Sequence, residues 1–170
     1  MNNIPEAELK SRLSKVKLLA LDVDGVLTDG GLYFTDSGEE FKRFNVKDGL
    51  GMKLVMQAGI EVAIITVSTA NAVRHRAEKL GIKHLYMGSE DKLTAIKELS
   101  DRFNLSLTEI AYAGDDLTDL PVLQAVGCPL TVADAIPQNQ NASIYVTDKC
   151  GGQGAVREIC ELLLSSFNSL

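Results

Sequence analysis

The chain has 170 residues, with 17 basic and 23 acidic side chains, a formal charge of −6 and an apolar fraction of 45%. That length suits about one domain, and so large an apolar share does not fit a disordered chain. The acidic balance argues against a nucleic-acid-binding face, and no apolar run approaches the ~18 residues of a membrane span.

The first segment, within residues 1–16, is charged and weakly amphipathic and reads as a short leading helix. It lacks the basic and apolar regions of a signal peptide. Val16 to Leu21 is a short apolar run ending in acids, the pattern of a buried strand. Residues 32–35 and 39–44 flank the turn signal Asp36-Ser37-Gly38 and predict a β-hairpin spanning 31–45, rich in aromatics at Tyr33, Phe34, Phe41 and Phe44. Helices are expected over 48–58, 69–80, 91–103, 117–126 and 154–167, and strands over 60–65, 84–86, 110–113, 129–133 and 143–146. Strands alternating with helices predict an α/β fold of three layers, Rossmann-like, on a mainly parallel sheet. The hairpin is the one insertion that breaks the alternation. The odd count of cysteines, Cys128, Cys150 and Cys160, contains no Cys-x-x-Cys pair and fits a reducing cytoplasm.

In open α/β sheets, ligands bind beyond the carboxyl ends of the strands. The residues just after each predicted strand are therefore the informative ones. They are Asp22, Asp24 and Gly25 after the first, Thr66 after the second, and Gly114, Asp115 and Asp116 after the 110–113 strand. Lys92 opens a helix, and Asp119 lies one helical turn beyond Asp115. Two carboxylates two residues apart in extended chain share a face and repel unless a cation is near. With Asp115 and Asp119 added, the oxygen density suits Mg²⁺. Lys92 and the ion together would let such a site accept a phosphate dianion.

Aspartate can act as a nucleophile. Asp22 is assigned to attack, and Asp24 to protonate the leaving alcohol and then activate water, with Gly25 letting the chain turn sharply so that Asp24 points back. Thr66 and Lys92 are assigned to the non-bridging phosphate oxygens. Asp116 and Asp119 are supporting acids.

This set, Asp22-Val23-Asp24-Gly25-Val26-Leu27-Thr28, then Thr66, Lys92, and Gly114-Asp115-Asp116-Leu117-Thr118-Asp119, resembles the four motifs of the haloacid dehalogenase superfamily of phosphatases, in the family's order. The resemblance implies Mg²⁺ held by Asp22, the backbone carbonyl of Asp24, and Asp115. Only 42 residues separate Asp24 from Thr66 and 26 separate Thr66 from Lys92, and the predicted elements already fill both intervals. A folded cap needs at least ~50 residues, so no cap domain is expected. Capless members act on macromolecules or close the site with a neighbouring subunit.

Within that superfamily the chain looks like the 3-deoxy-D-manno-octulosonate 8-phosphate phosphatases. The resemblance rests on Asp29-Gly30-Gly31-Leu32-Tyr33, on Glu39 to Gly49, and on Gly151-Gly152-Gln153-Gly154-Ala155-Val156-Arg157-Glu158. It implies a small phosphorylated sugar acid as substrate, a role in lipopolysaccharide precursor synthesis, and a homotetramer formed through the hairpins. The chain departs from that pattern at Val67-Ser68, where the octulosonate enzymes carry Gly-Arg and nine-carbon relatives Gly-Glu, and at Gln153 in place of Arg. Arg74 is the expected substitute cation for the substrate carboxylate, with Arg76 and Lys47 as alternatives. A phosphatase for a nine-carbon ulosonate 9-phosphate, a relative with altered or lost specificity, and a receiver-type signalling domain are the competing readings.

Overall fold

The structure is a computed structural model that describes residues 3–167, so Met1 and Asn2 of the expected leading segment lie outside the described residues. The strands are β1 (Leu18–Leu21), β2 (Tyr33–Phe34), β3 (Glu40–Phe41), β4 (Glu61–Ile65), β5 (His84–Tyr86), β6 (Ile110–Ala113), β7 (Cys128–Thr131) and β8 (Tyr145–Val146). The helices are α1 (Glu6–Leu13), α2 (Val46–Gln57), α3 (Asn71–Leu80), α4 (Lys92–Phe103), α5 (Leu120–Leu123), α6 (Pro137–Ala142) and α7 (Ala155–Phe167). Six strands form one sheet in the order β5-β4-β1-β6-β7-β8, and each neighbouring pair is parallel. The hairpin β2–β3 is a separate antiparallel ribbon.

The sheet has helices on both faces, and side-chain alternation along its strands assigns each face its core. Leu19 and Leu21 of β1, Val62 and Ile64 of β4, and Ala111 and Ala113 of β6 pack against α1, α2, α3 and α7. Leu18, Ala20, Ala63, Ile65, Ile110 and Tyr112 face α4 and α5 through Ile96, Leu99, Val122 and Leu123. The interval from Asp24 to Thr66 holds the hairpin, α2 and β4, and no cap domain is inserted.

Several expected elements are corrected. The predicted 117–126 helix is a 3₁₀ turn over Leu117–Asp119 followed by the short α5, with Pro121 in its first turn. The hairpin strands are two residues each rather than four to six. The predicted 143–146 strand shortens to Tyr145–Val146 because α6 runs up to Ala142. Helix α2 begins two residues early because the Asn45 side chain caps it, accepting from the Lys47 N–H at 2.8 Å.

The chain leaves β1 toward β4 and β5 on one side, then crosses back to β6, β7 and β8 on the other. The carboxyl ends of β1, β4 and β6 thereby lie side by side at the point where the direction of winding changes.

Candidate active site

Asp22 is the first residue after β1. Its N–H donates to the Ala113 carbonyl of β6 at 3.0 Å, which continues the sheet register into the loop. Its side chain is 8% exposed. Oδ1 accepts from the Val23 N–H at 2.7 Å, and Oδ2 lies 2.9 Å from Lys92 Nζ. The chain then turns through Gly25 at φ +85°, a left-handed conformation natural only to glycine. A Cβ there would also overlap the Asp115 carboxylate. Two separate constraints therefore require glycine between the acidic loops.

Asp119 is fully buried and organises the rest. Its Oδ1 accepts from Lys92 Nζ at 2.6 Å and from the Tyr112 hydroxyl at 2.6 Å. Its Oδ2 accepts from the N–H groups of Asp115 at 2.9 Å and Asp116 at 3.1 Å. Both oxygens are occupied by protein donors, so Asp119 shapes the loop and fixes Lys92. Asp116 caps the same turn, accepting from the Leu117 N–H at 2.7 Å. Helix α6 braces this loop, because the Asn139 amide donates to the Asp116 carbonyl at 2.9 Å. Lys92 is the first residue of α4, and its side chain is 1% exposed between Asp22 and Asp119.

One buried lysine faces several carboxylates. Oxygens of Asp22, Asp115 and Asp119 all lie within 4.8 Å of one another. Burial and the Asp119 charge push Asp22 up to about 7, against the pull of Lys92. Burial and the charges of Asp22, Asp119 and Asp116 push Asp115 up to about 8. Burial alone would lower Lys92, but Asp22 and Asp119 outweigh it and hold the ammonium above its ordinary value.

The residues fit a hard divalent cation. Asp115 Oδ1 is buried with no hydrogen-bond partner among the described residues, and the raised carboxylates of Asp22 and Asp115 would be relieved by added positive charge. Asp22 and Asp115 are the side chains free to supply oxygens, since Asp119 is saturated.

A cavity of ≈ 250 Å³ opens here, lined by Asp22, Asp24, Gly25, Gly30, Val67, Lys92, Asp115, Asp116 and Thr118. Asp22, Asp24, Gly25, Lys92, Asp115 and Asp116 are thus brought together as expected. Thr66, just after β4, is buried and is not among the residues that line the cavity, and its hydroxyl accepts from the Ser68 N–H at 3.1 Å. Gly30 and Thr118, which lie within the motif stretches but have no role assigned from the sequence, also line the cavity; neither carries a charge that would single it out.

Arg74 is not brought to the cavity. Val73, Ala77 and Leu80 turn the apolar face of α3 into the core, which leaves Arg74 exposed. Lys47 is also exposed. Arg76 serves packing, donating to the Asn45 carbonyl at 2.8 Å with its guanidinium 5.6 Å from the centre of the Phe44 ring. The cation that does reach the acidic loop from outside is Lys42, a residue absent from the expectation. Its Nζ lies 2.6 Å from Asp24 Oδ1 and 2.7 Å from Glu40 Oε1.

The Gly151–Glu158 stretch packs behind the site. A Cβ on Gly151 would overlap the Gly25 carbonyl, and the Gly152 N–H donates to the Val26 carbonyl at 3.1 Å. Asp48 of α2 accepts from the Arg157 N–H at 2.8 Å at the start of α7.

A family model for haloacid dehalogenase-like hydrolases matches residues 85–159. The chain is 47% identical over 164 residues to the 3-deoxy-D-manno-octulosonate 8-phosphate phosphatase KdsC of Escherichia coli K12, spanning 96% of this chain and 87% of the relative. Among solved structures, it matches that phosphatase from Moraxella catarrhalis, in complex with magnesium, phosphate and KDO, at a TM-score of 0.94 and 41% identity, covering 97% of each chain. The cobalt-bound deoxy-D-mannose-octulosonate 8-phosphate phosphatase of Haemophilus influenzae matches at a TM-score of 0.89 and 39% identity, covering 92% of each.

Proposed function

This chain belongs to the 3-deoxy-D-manno-octulosonate 8-phosphate phosphatases of the haloacid dehalogenase superfamily, and from that membership we infer that it hydrolyses this ester to the free sugar acid and phosphate. It is a Mg²⁺-dependent phosphoric monoester hydrolase. The observation that carries the reading is the cluster of Asp22, Asp115 and Asp119 around Lys92 at the strand ends, in a chain so similar to these enzymes.

We propose the following residue roles, which general chemistry and the family resemblance support. Asp22 attacks phosphorus, forming an aspartyl-phosphate as the bond to the sugar oxygen breaks. Asp24 gives a proton to that leaving oxygen. It then takes a proton from the water that attacks the aspartyl-phosphate, which returns Asp22 and releases phosphate. Lys92, which lines the cavity, binds non-bridging oxygens, where charge must be held through the transfer; Thr66, assigned the same role from the sequence, is buried and is not among the lining residues. Asp22 and Asp115, with the Asp24 carbonyl that the resemblance adds, would hold Mg²⁺, which would supply the positive charge that lets a dianion approach these carboxylates.

The cavity is small beside the ~300–1,000 Å³ usual for ligand sites. It suits the phosphoryl end of the substrate, with the sugar acid extending past the hairpin. The exposed apolar side chains of the hairpin support this reading. Leu32, Phe34 and Phe41 of the hairpin are 70%, 57% and 52% exposed, and such apolar groups on one projecting ribbon suit an interface. We take residues 1–170 as one catalytic domain, with 31–45 as its flap, working as a homotetramer in which neighbours complete each site. A double Phe34→Ser, Phe41→Ser variant should then elute as a smaller species in size-exclusion chromatography with light scattering. The three cysteines are unpaired, which suits a reducing cytoplasm, where the sugar acid would enter lipopolysaccharide precursor synthesis. Among the described residues no helix is long and apolar enough to cross a membrane.

The test is phosphate release with and without Mg²⁺ on the eight-carbon and nine-carbon ulosonate phosphates side by side. Fast Mg²⁺-dependent release from the eight-carbon ester, abolished by Asp22→Asn, is expected. Release confined to the nine-carbon ester would show that Val67-Ser68 redirects specificity.

A further inference from the structure

We propose that Lys42, carried by the hairpin, is a positioning residue that holds the Asp24 carboxylate for proton exchange with the leaving sugar oxygen. The proposal rests on the reading of Asp24 as the acid and base of this reaction.

Asp24 needs such a partner. Its side chain is 39% exposed and stands just before the left-handed turn at Gly25. Among the described residues, Lys42 is the one hydrogen-bond donor to its carboxylate. The bond falls on Oδ1, which leaves Oδ2 for the substrate. A charge-assisted bond of 2.6 Å restricts rotation of a carboxylate that would otherwise turn freely in water. The lysine is itself held. Its side chain is 2% exposed, and Glu40, two residues back and so on the same face of the strand, takes a second bond at 2.7 Å.

The pair is not needed to root the hairpin. Asp29 does that at the first strand, accepting from the Tyr33 hydroxyl at 2.8 Å and the Gly31 N–H at 3.0 Å. Asn45 does it at the other end, its amide donating to the Gly152 carbonyl at 3.2 Å. Tyr33 and Phe41 stack across the ribbon with centroids 5.4 Å apart. Lys42 therefore spends a buried charge on an acid that the fold does not otherwise hold.

A positioning role for proton transfer has a signature that packing lacks. An alkyl phosphate expels an alkoxide and needs the proton, whereas 4-nitrophenyl phosphate expels a stable phenolate and does not. General acid catalysis contributes roughly 10²–10⁴-fold where it is required. The experiment compares kcat and KM of the full-length protein, Lys42→Met, Lys42→Arg and Asp24→Asn on the eight-carbon sugar phosphate and on 4-nitrophenyl phosphate. Lys42→Met should lose at least about tenfold more kcat on the sugar ester than on the aryl ester. KM should change little, and Lys42→Arg should recover most of the loss. The ratio of the two esters is taken within one preparation, so a misfolded fraction cancels. An equal loss on both esters, a rise in KM alone, or no change would each overturn the proposal. Asp24→Asn separates the two levels. If it loses selectively on the sugar ester while Lys42→Met does not, the positioning role fails and the reading of Asp24 stands. If Asp24→Asn shows no selectivity, that reading fails as well.

Discussion

Asp119→Asn preserves the shape of the side chain and removes its charge, and the site should not tolerate it. Four donors converge on the carboxylate, two on each oxygen: Lys92 and Tyr112 on Oδ1, the Asp115 and Asp116 N–H groups on Oδ2. An amide has one acceptor oxygen and one NH₂. With the NH₂ toward the loop, the Asp115 and Asp116 N–H groups are stranded; turned the other way it faces the Lys92 ammonium, and the Tyr112 hydroxyl can only rotate to accept from it, so either orientation loses two charge-assisted bonds in a fully buried site. Hydrogen bonds to a charged group are each worth about 1.5–3 kcal/mol, so two lost bonds cost about 3–6 kcal/mol. Loss of the charge also eases repulsion on Asp22 and Asp115, which offsets part of that cost. The net expectation is a destabilisation of about 2–4 kcal/mol. For a chain of this length that corresponds to a Tm lower by about 5–15 °C. The assay is thermal unfolding of the metal-free protein at pH 7, followed by far-ultraviolet circular dichroism. A Tm within about 2 °C of the parent would refute the claim that this carboxylate bolts the site together.

The remaining expectations concern the ion and the turn. Asp22 and Asp115 are held above the ordinary carboxylate range, so the folded state favours their protonated forms. The stability they allow is fully present below about pH 4 and is lost as pH rises through about 7 and 8. The metal-free protein should accordingly lose Tm between pH 5 and pH 8, beyond any change common to all its variants. Added Mg²⁺ should raise Tm more at pH 8 than at pH 5, and an equal shift at both would refute this account. Gly25→Ala forces a left-handed alanine, on the order of 1–3 kcal/mol of backbone strain, and drives a methyl into the Asp115 carboxylate. It should lower both Tm and Mg²⁺ affinity measured by calorimetry, and an unchanged Tm would contradict the close approach of the two loops.

Much of this arrangement is legible in the sequence because it is local. The buried strands announce themselves as short apolar runs, and His84–Tyr86 and Ile110–Ala113 fall where the pattern places them. The acids after β1 and β6 follow from the rule that strand ends carry chemistry. Illegible features depend on partners far along the chain. Helix α6 is polar along its length, Pro137-Gln138-Asn139-Gln140-Asn141-Ala142, so it has no apolar period. Its reason to exist is tertiary, since Asn139 braces the Asp116 loop and Gln140 bonds the carbonyls of Ala133 and Ala135. The break between Asp119 and α5 is likewise tertiary. Asp119 spends its side chain on the loop behind it, and a regular helix through 117–126 would not present it there. Arg74 and Lys42 show the same limit from opposite sides. Each is a lysine or arginine in a charged stretch, and only the packing of α3 and the reach of the hairpin decide which one meets an acid.

The buried knot of Asp22, Lys92 and Asp119 also makes a statement about time. Its members come from the loop after the first strand, the fourth helix and the turn after the sixth strand, and β1 is inserted between β4 and β6, which follow it at long range. No fragment of the chain holds all three groups until those distant segments have zipped together. Long-range parallel pairing closes large loops and is slow. On refolding from denaturant, helical signal should therefore return before the ability to release phosphate. Turnover would mark the last closure of the chain, a clock for complete folding set within the chemistry itself.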